Sequence, residues 1–395
     1  MIKFTLISKN FLGRPREFEG MGETSIIGGA ELNLYRTAKL LLEEGYEVNV
    51  LQEDNGIGIS NYEGIYIKYI PTPDIDNPLI RTIFFNYRWR QYVPKGSYVH
   101  IHHEGYAVPF YQGIHSVNQQ GIAWDYPGKR KLSTRFKLYI TKKLLAQGAY
   151  IRASDNSFLS YVQSEWADYR NQVFPIPNGV DTERFCPQKI DPEKLAINAD
   201  GRIIILFPRT QTIYRGAYIF LESLNILKKE YDNFVVLFIG ALKTEIKEKI
   251  QDLIGKYKLK NNVIFIGHIP NEKMPEYYNI ADIVTIPTYH SEGSSISCIE
   301  AMACGKPVVV TDVGGLKELI YRDEIDGGIK VKPTPRALAS ALKKLIQNPS
   351  LRDKLGKNAR ARVLKYYRSE QWKESMREYF KMVIENSKIP RWKES

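Results

Sequence analysis

Short apolar runs recur along the chain, each followed by a segment with apolar residues at helical spacing, and this alternation begins twice. Residues 3–8 (KFTLIS) read as a buried strand, and a long loop leads from it to Gly28-Gly29. A helix is predicted from Glu31, with Leu34, Ala38, Leu41 and Leu42 on one face and Gly45 closing its end. Residues 48–51 (VNVL) read as a second strand. Further strands are predicted over 65–70, 97–102 and 114–118, with a long helix over 131–147. Turn formers crowd residues 175–187 (PIPNGVDTERFCP), and the alternation then restarts. Strands are predicted at 203–207, 235–239, 263–266, 283–286 and 308–311, separated by helices near 216–231, 243–259, 295–304 and 334–347. Residues 350–386 read as helical and very basic. These strands lack strict alternation of apolar and polar residues, as strands do when helices cover both faces of a parallel sheet. The pattern predicts an α/β chain of two Rossmann-like, doubly wound domains, residues 1–185 and 186–369, facing across a cleft. The C-terminal helix, about 370–395, is expected to pack back on the first domain, with ligand between the carboxyl ends of the strands.

Composition narrows the class. At 395 residues the chain exceeds one ordinary core. No apolar run approaches the ~18 residues of a membrane span, and the start, MIKFTLISKN, lacks a signal peptide's apolar region and cleavage site. Cys186, Cys298 and Cys304 have neither a disulfide framework nor metal-ligand spacing. The chain reads as cytoplasmic. Its net charge of +12 is uneven: residues 1–76 carry 7 basic and 12 acidic side chains, residues 77–152 carry 12 and 2. Such a block suits an anionic membrane or a phosphorylated ligand; no nucleic-acid module accompanies it. Two elements could meet a bilayer on the inner membrane face. In one, Arg81, Arg88 and Arg90 interleave with Phe84, Phe85, Tyr87 and Trp89. In the other, Lys131, Arg135 and Lys142 share a helix face beside Leu132, Phe136 and Ile140.

The sharpest chemical signal is Glu292-Gly-Ser-Ser-Ile-Ser-Cys-Ile-Glu300. Glu292 sits in a loop and Glu300 inside the next helix, about 8 Å of axial rise beyond Ser295. One carboxylate at the helix mouth and one on its flank suit hydroxyls at two ends of an extended ligand. The free amides of Ser294, Ser295 and Ile296 face the same space and favour an anion or sugar oxygens. His102-His103-Glu104 is not read as a metal site, because adjacent side chains on a strand diverge. Asp74-Ile-Asp76 between two prolines is read as turn chemistry.

The segment resembles the Glu, seven residues, Glu signature of the retaining GT-B glycosyltransferases of family 4, the glycosyl transferases group 1. Gly28-Gly29-Ala30-Glu31, the stretch 176–181 (IPNGVD) with Phe185, Arg209, Arg215-Gly216 and the stretch 313–318 (VGGLKE) resemble further motifs of that family, in order. The resemblance implies a GT-B fold and metal-independent sugar transfer from a UDP-, GDP- or ADP-sugar, with no cofactor. The expected acceptor is a saccharide or lipid-linked saccharide of cell-surface glycan synthesis. By that pattern Arg209 and Arg215 meet the diphosphate, Glu300 the ribose hydroxyls, and Glu292 with Gly293, Ser294, Ser295 and Ile296 the donor sugar. Gly28-Gly29 approaches the diphosphate from the other domain. Where the family places a histidine near the donor sugar, Asn118, Gln119 and Asp125 are the candidates. Front-face displacement is implied, the leaving phosphate helping to deprotonate the acceptor. A nucleotide-sugar epimerase, which needs no acceptor, and a non-catalytic binding subunit are the alternatives.

Overall fold

The computed structural model describes residues 1–12, 28–54, 60–75, 77–121, 132–290 and 292–387, which divide into two compact units. The first unit holds residues up to Pro177 and, from Lys373, most of the last helix; the second holds Asn178–Trp372. In the first, the strands are β1 (Lys3–Ile7), β2 (Glu47–Glu53), β3 (Asn61–Tyr62), β4 (Ile65–Ile70), β5 (Ser97–Ile101), β6 (Ser116–Gln119), β7 (Tyr150–Ala153) and β8 (Val173–Pro175). Its helices are α1 (Gly29–Glu43), α2 (Pro78–Trp89), α3 (Leu132–Ala146) and α4 (Asn156–Glu165). The strand order is β3-β4-β2-β1-β5-β6-β7-β8, parallel except for β3 against β4.

The second unit has β9 (Ile203–Pro208), β10 (Phe234–Ile239), β11 (Val263–Gly267), β12 (Ile283–Ile286), β13 (Val308–Thr311) and β14 (Gly328–Val331). Its helices are α5 (Ala217–Lys228), α6 (Thr244–Lys256), α7 (Met274–Ile280), α8 (Ile296–Ala303), α9 (Leu316–Leu319), α10 (Pro335–Gln347) and α11 (Pro349–Tyr366); α12 (Ser369–Asn386) follows. The order β11-β10-β9-β12-β13-β14 is wholly parallel. Every residue of β10 is buried, so helices cover both faces, which is why the sequence showed apolar runs without alternation. Two apolar clusters result, one on each face: Leu206, Leu237 and Ile299 in one, Phe207, Phe238 and Leu342 in the other.

The structure divides the helical stretch 350–386. Val180 N–H donates to the Tyr367 carbonyl and accepts, through its own carbonyl, from Ser369 N–H. That bridge takes up the backbone groups a continuous helix would use and separates α11 from α12. From Lys373 onward α12 packs on the first unit, where Arg377 pairs with Glu44, Tyr379 donates to the Tyr150 carbonyl and Phe380 meets Phe4 edge-on.

Candidate active site

Strands β9 and β12 are neighbours, with Ile205 opposite Ile283, so their carboxyl ends emerge side by side. The direction of winding also reverses between them, and open α/β sheets bind ligands outside the strand ends at such a point. Arg209 follows β9 directly, and Thr288 and Glu292 lie in the loop after β12. Arg209 donates to Glu292 Oε2 at 2.8 Å, to Thr288 Oγ1 at 3.1 Å and to Ser295 Oγ at 3.4 Å. Arg215, just ahead of α5, donates to the same Glu292 oxygen, and Thr288 reaches it at 3.3 Å.

Two glycine motifs bring these groups within reach. Gly216 adopts φ +88°, and a Cβ there would fall 1.8 Å from the Pro287 carbonyl oxygen, so only glycine lets Arg215 lie this close to the end of β12. Gly314, at φ +47°, would put a Cβ 2.0 Å from the Glu292 carbonyl oxygen, and Gly315 N–H donates to that oxygen at 2.7 Å. The Gly-Gly pair therefore fixes the backbone of the Glu292 loop.

The electrostatics follow from burial. Arg209 and Glu292 are both buried, while Arg215 remains 40% exposed along its side chain. Burial raises the Glu292 carboxyl, but Arg209 and Arg215 outweigh it and hold the group below its ordinary range. Burial, with the charge of Arg215, lowers Arg209 to about 10 against the pull of Glu292, so it stays charged at neutral pH. Two cations on one carboxylate leave a net positive site, and an incoming anion would compete with Glu292 for the guanidiniums.

Glu300 lies in α8, buried. Asn271 donates to its Oε1 at 2.8 Å and Tyr278 to its Oε2 at 2.9 Å, while Arg184 donates to Asn271 Oδ1 at 2.7 Å. Burial, then the adjacent carboxylate, pushes the Tyr278 hydroxyl well above its usual range, so it remains a donor. Ser294 turns elsewhere: its hydroxyl accepts from Asn178 N–H at 2.8 Å and its carbonyl from the Asn178 amide at 2.6 Å. Ser295 precedes α8, whose first residue is Ile296. Gly293 lies under Gly315, where a Cβ would come within 2.5 Å of its carbonyl carbon. Thr288, Asn271 and Tyr278 were not singled out by the sequence; the only hint was a small polar residue just past a buried strand.

Gly28 and Gly29 belong to the first unit, Gly28 capping α1 in an extended conformation. Asn118 is buried among Asn33, His102 and Arg152, and Gln119 donates to the Gly121 carbonyl; Asp125 and Asp76 lie outside the described residues. His102 is buried and His103 half-exposed. Among the described residues no three His, Cys, Asp or Glu side chains gather as a metal site.

The structure buries Phe85, Trp89 and Ile140 of the two expected bilayer elements and engages several of their cations. Arg81 donates to Glu53 at 2.7 Å, Arg88 to the Pro71 carbonyl at 2.9 Å, and Arg90 stacks on Trp89 and caps the Asn86 and Phe110 carbonyls. All three are therefore engaged within the unit itself. Ile140 is core, not surface, and Lys131 and the Leu132 side chain lie outside the described residues. What α2 does expose is apolar: Leu79, Ile80, Ile83, Phe84 and Tyr87, with Phe110 against Tyr87 at 6.1 Å. Helix α3 exposes Arg135, Phe136, Tyr139, Lys142 and Lys143. No helix among the described residues is long and apolar enough to cross a membrane.

Residues 187–362 match the family described as Glycosyl transferases group 1. An uncharacterized glycosyltransferase of Methanocaldococcus jannaschii is 23% identical over 371 residues, 87% of this chain and 91% of that protein. Among solved structures, sucrose-phosphate synthase from Thermosynechococcus elongatus is similar with a TM-score of 0.83 at 21% identity, covering 98% of this chain and 100% of that one. HepE of Anabaena, solved in complex with UDP-glucose, is similar with a TM-score of 0.77 at 16% identity, covering 97% and 100%. The two parallel-sheet units are those of the GT-B fold, and the similarities support a glycosyltransferase rather than an epimerase or a binding subunit.

Proposed function

We propose that the protein is a retaining, metal-independent glycosyltransferase that moves a sugar from a nucleotide-diphosphate sugar to a saccharide or lipid-linked acceptor of cell-surface glycan synthesis. The observation that carries this reading is the convergence of Arg209 and Arg215 on Glu292 at the amino end of α8. A leaving nucleotide diphosphate gains negative charge as the glycosidic bond breaks. Two guanidiniums, each worth about 1.5–3 kcal/mol as charge-assisted donors, are suited to stabilise it without a metal. Glu292 Oε2 is taken by the arginines, which leaves Oε1 for a sugar hydroxyl. A carboxylate shared by two guanidiniums is a weak nucleophile, which favours front-face displacement over a covalent intermediate. Glu300 is assigned to the ribose hydroxyls, with Asn271 and Tyr278 fixing its plane. Gly28 and Gly29 are assigned to the diphosphate from the first unit.

The exposed apolar face of α2 and the cationic and aromatic face of α3 suit peripheral contact with an anionic bilayer on the cytoplasmic side, and hence a lipid-linked acceptor. Co-sedimentation with anionic liposomes should fall when Ile83→Glu and Phe84→Glu are combined, and binding that is unaffected would remove the membrane from the reading. Mass spectrometry with a panel of nucleotide sugars and membrane glycolipids tests the activity. Transfer with retained anomeric configuration and undiminished by EDTA is expected; a requirement for added magnesium or manganese, or inversion, overturns the mechanism.

A further inference from the structure

The first unit's sheet reverses its winding between β1 and β5, and the strand ends there hold a chain of hydrogen bonds whose polarity can be worked out from one end. Arg152, buried on β7, has only N–H groups to offer, and it donates to Asn118 Oδ1 at 3.0 Å. The Asn118 nitrogen therefore faces the other way, donating to Asn33 Oδ1 at 3.1 Å and lying 3.2 Å from His102 Nδ1. Nδ1 must accept, which puts the ring proton on Nε2. The ring also donates to the backbone carbonyl of Ala30, in the first turn of α1, so on this tautomer its single Nε2–H is shared between that carbonyl and a second acceptor. Burial, reinforced by nearby charge on His100, His103 and Arg152, lowers His102 to about 3, so the ring is neutral and only one nitrogen carries a proton.

Gln120 Nε2 stands 2.7 Å from His102 Nε2. Two N–H donors cannot bond to each other. Turning the amide over leaves its shape unchanged and presents Oε1 to the ring. The NH2 group then points outward, on an exposed residue just past the carboxyl end of β6.

We infer that Gln120 is a sugar-contacting residue of the first unit, its amide set nitrogen-outward by His102 to donate to a saccharide hydroxyl. A neutral, fixed donor suits a hydroxyl oxygen, which brings no charge to be balanced. His102 is a positioning residue, because it acts through Gln120. The inference rests on the proposed glycosyl transfer for its ligand, but the orientation of the chain stands on its hydrogen-bond geometry and on the neutrality of the buried ring.

Long-range 1H–15N correlation on the full-length protein labelled with 15N-histidine should show His102 as the Nε2–H tautomer; the Nδ1–H form overturns the inference. With the nucleotide sugar that the wild type uses, Gln120→Ala should lower kcat/KM about three- to tenfold, the worth of one neutral hydrogen bond. Gln120→Glu should lose as much, since it can accept from His102 but has no N–H to give. His102→Phe should cost about the same, and the double variant His102→Phe/Gln120→Ala no more than Gln120→Ala alone; a merely structural His102 would add its own loss. Should His102→Phe not fold, the Gln120 variants and the tautomer decide. Unchanged kcat/KM for both Gln120 variants, in a wild type that transfers sugar, overturns this inference alone. Absence of transfer from every nucleotide sugar overturns the glycosyl-transfer reading together with it.

Discussion

The two sheets end in opposite chemistry at equivalent places. Where the second sheet changes direction, Arg209 and Arg215 meet Glu292, and formal charge survives burial because each ion compensates another. Where the first sheet does so, His102, Asn118 and Gln120 form a neutral relay, with Arg152 buried behind it. Burial acts on both. It lowers Arg209 only to about 10, leaving it charged, and takes His102 to about 3, leaving it uncharged. The same fold thus provides one rim suited to an anion and one suited to hydroxyls, according to which side chains stand at the strand ends.

The largest effect should come from the charged rim. Arg209→Ala is expected to lower kcat/KM by about 100-fold or more, or ~2.7 kcal/mol of transition-state stabilisation, in steady-state assays with the preferred donor. A loss no greater than that of Gln120→Ala would erase the contrast between the rims. Gly216→Ala should come next: with φ +88° and a Cβ 1.8 Å from the Pro287 oxygen, strain of about 1–3 kcal/mol should appear as a lower urea midpoint. Tyr278→Phe removes one donor from Glu300, and calorimetry should show nucleotide affinity about tenfold weaker. Equal affinity would separate Glu300 from the nucleotide.

The smallest effect, near neutrality, distinguishes the rims by pH. His100 and His102 are both lowered by burial from 6.5 to about 3 in the folded protein. The stability they contribute is complete above the unfolded value and lost as pH falls from 6.5 towards 3, about 1 kcal/mol for the pair between pH 7 and 6. Glu292, held below 4.5, contributes above that value and loses its share only under more acid conditions. Hydrogen exchange on acidification should therefore loosen the first unit's strand ends before the second's, and the reverse order would contradict this account.

Several elements are legible in the sequence. The strands at 203–207, 283–286 and 308–311 fall within a residue of β9, β12 and β13, since fully buried strands announce themselves as apolar runs. Helix α2 is not legible as one, because arginines interleaved with aromatics obscure its faces until Arg81, Arg88 and Arg90 are seen turned onto Glu53, Pro71 and Trp89. Helical spacing sets Ile140 beside the cationic face of α3 but cannot tell which side meets the core, where the structure buries it.

The sequence by itself determined two α/β units and the segments that carry Arg209, Arg215, Glu292 and Glu300, because strand and helix periods depend on residues only a few positions apart. Only the tertiary structure decided that one oxygen of Glu292 takes both arginines, 83 and 77 residues away, and that His102 faces Gln120. The physical reason is strand order. Local periodicity does not fix which strands become neighbours, and it is the adjacency of β9 with β12 and of β5 with β6 that brings those side chains within a hydrogen bond's length.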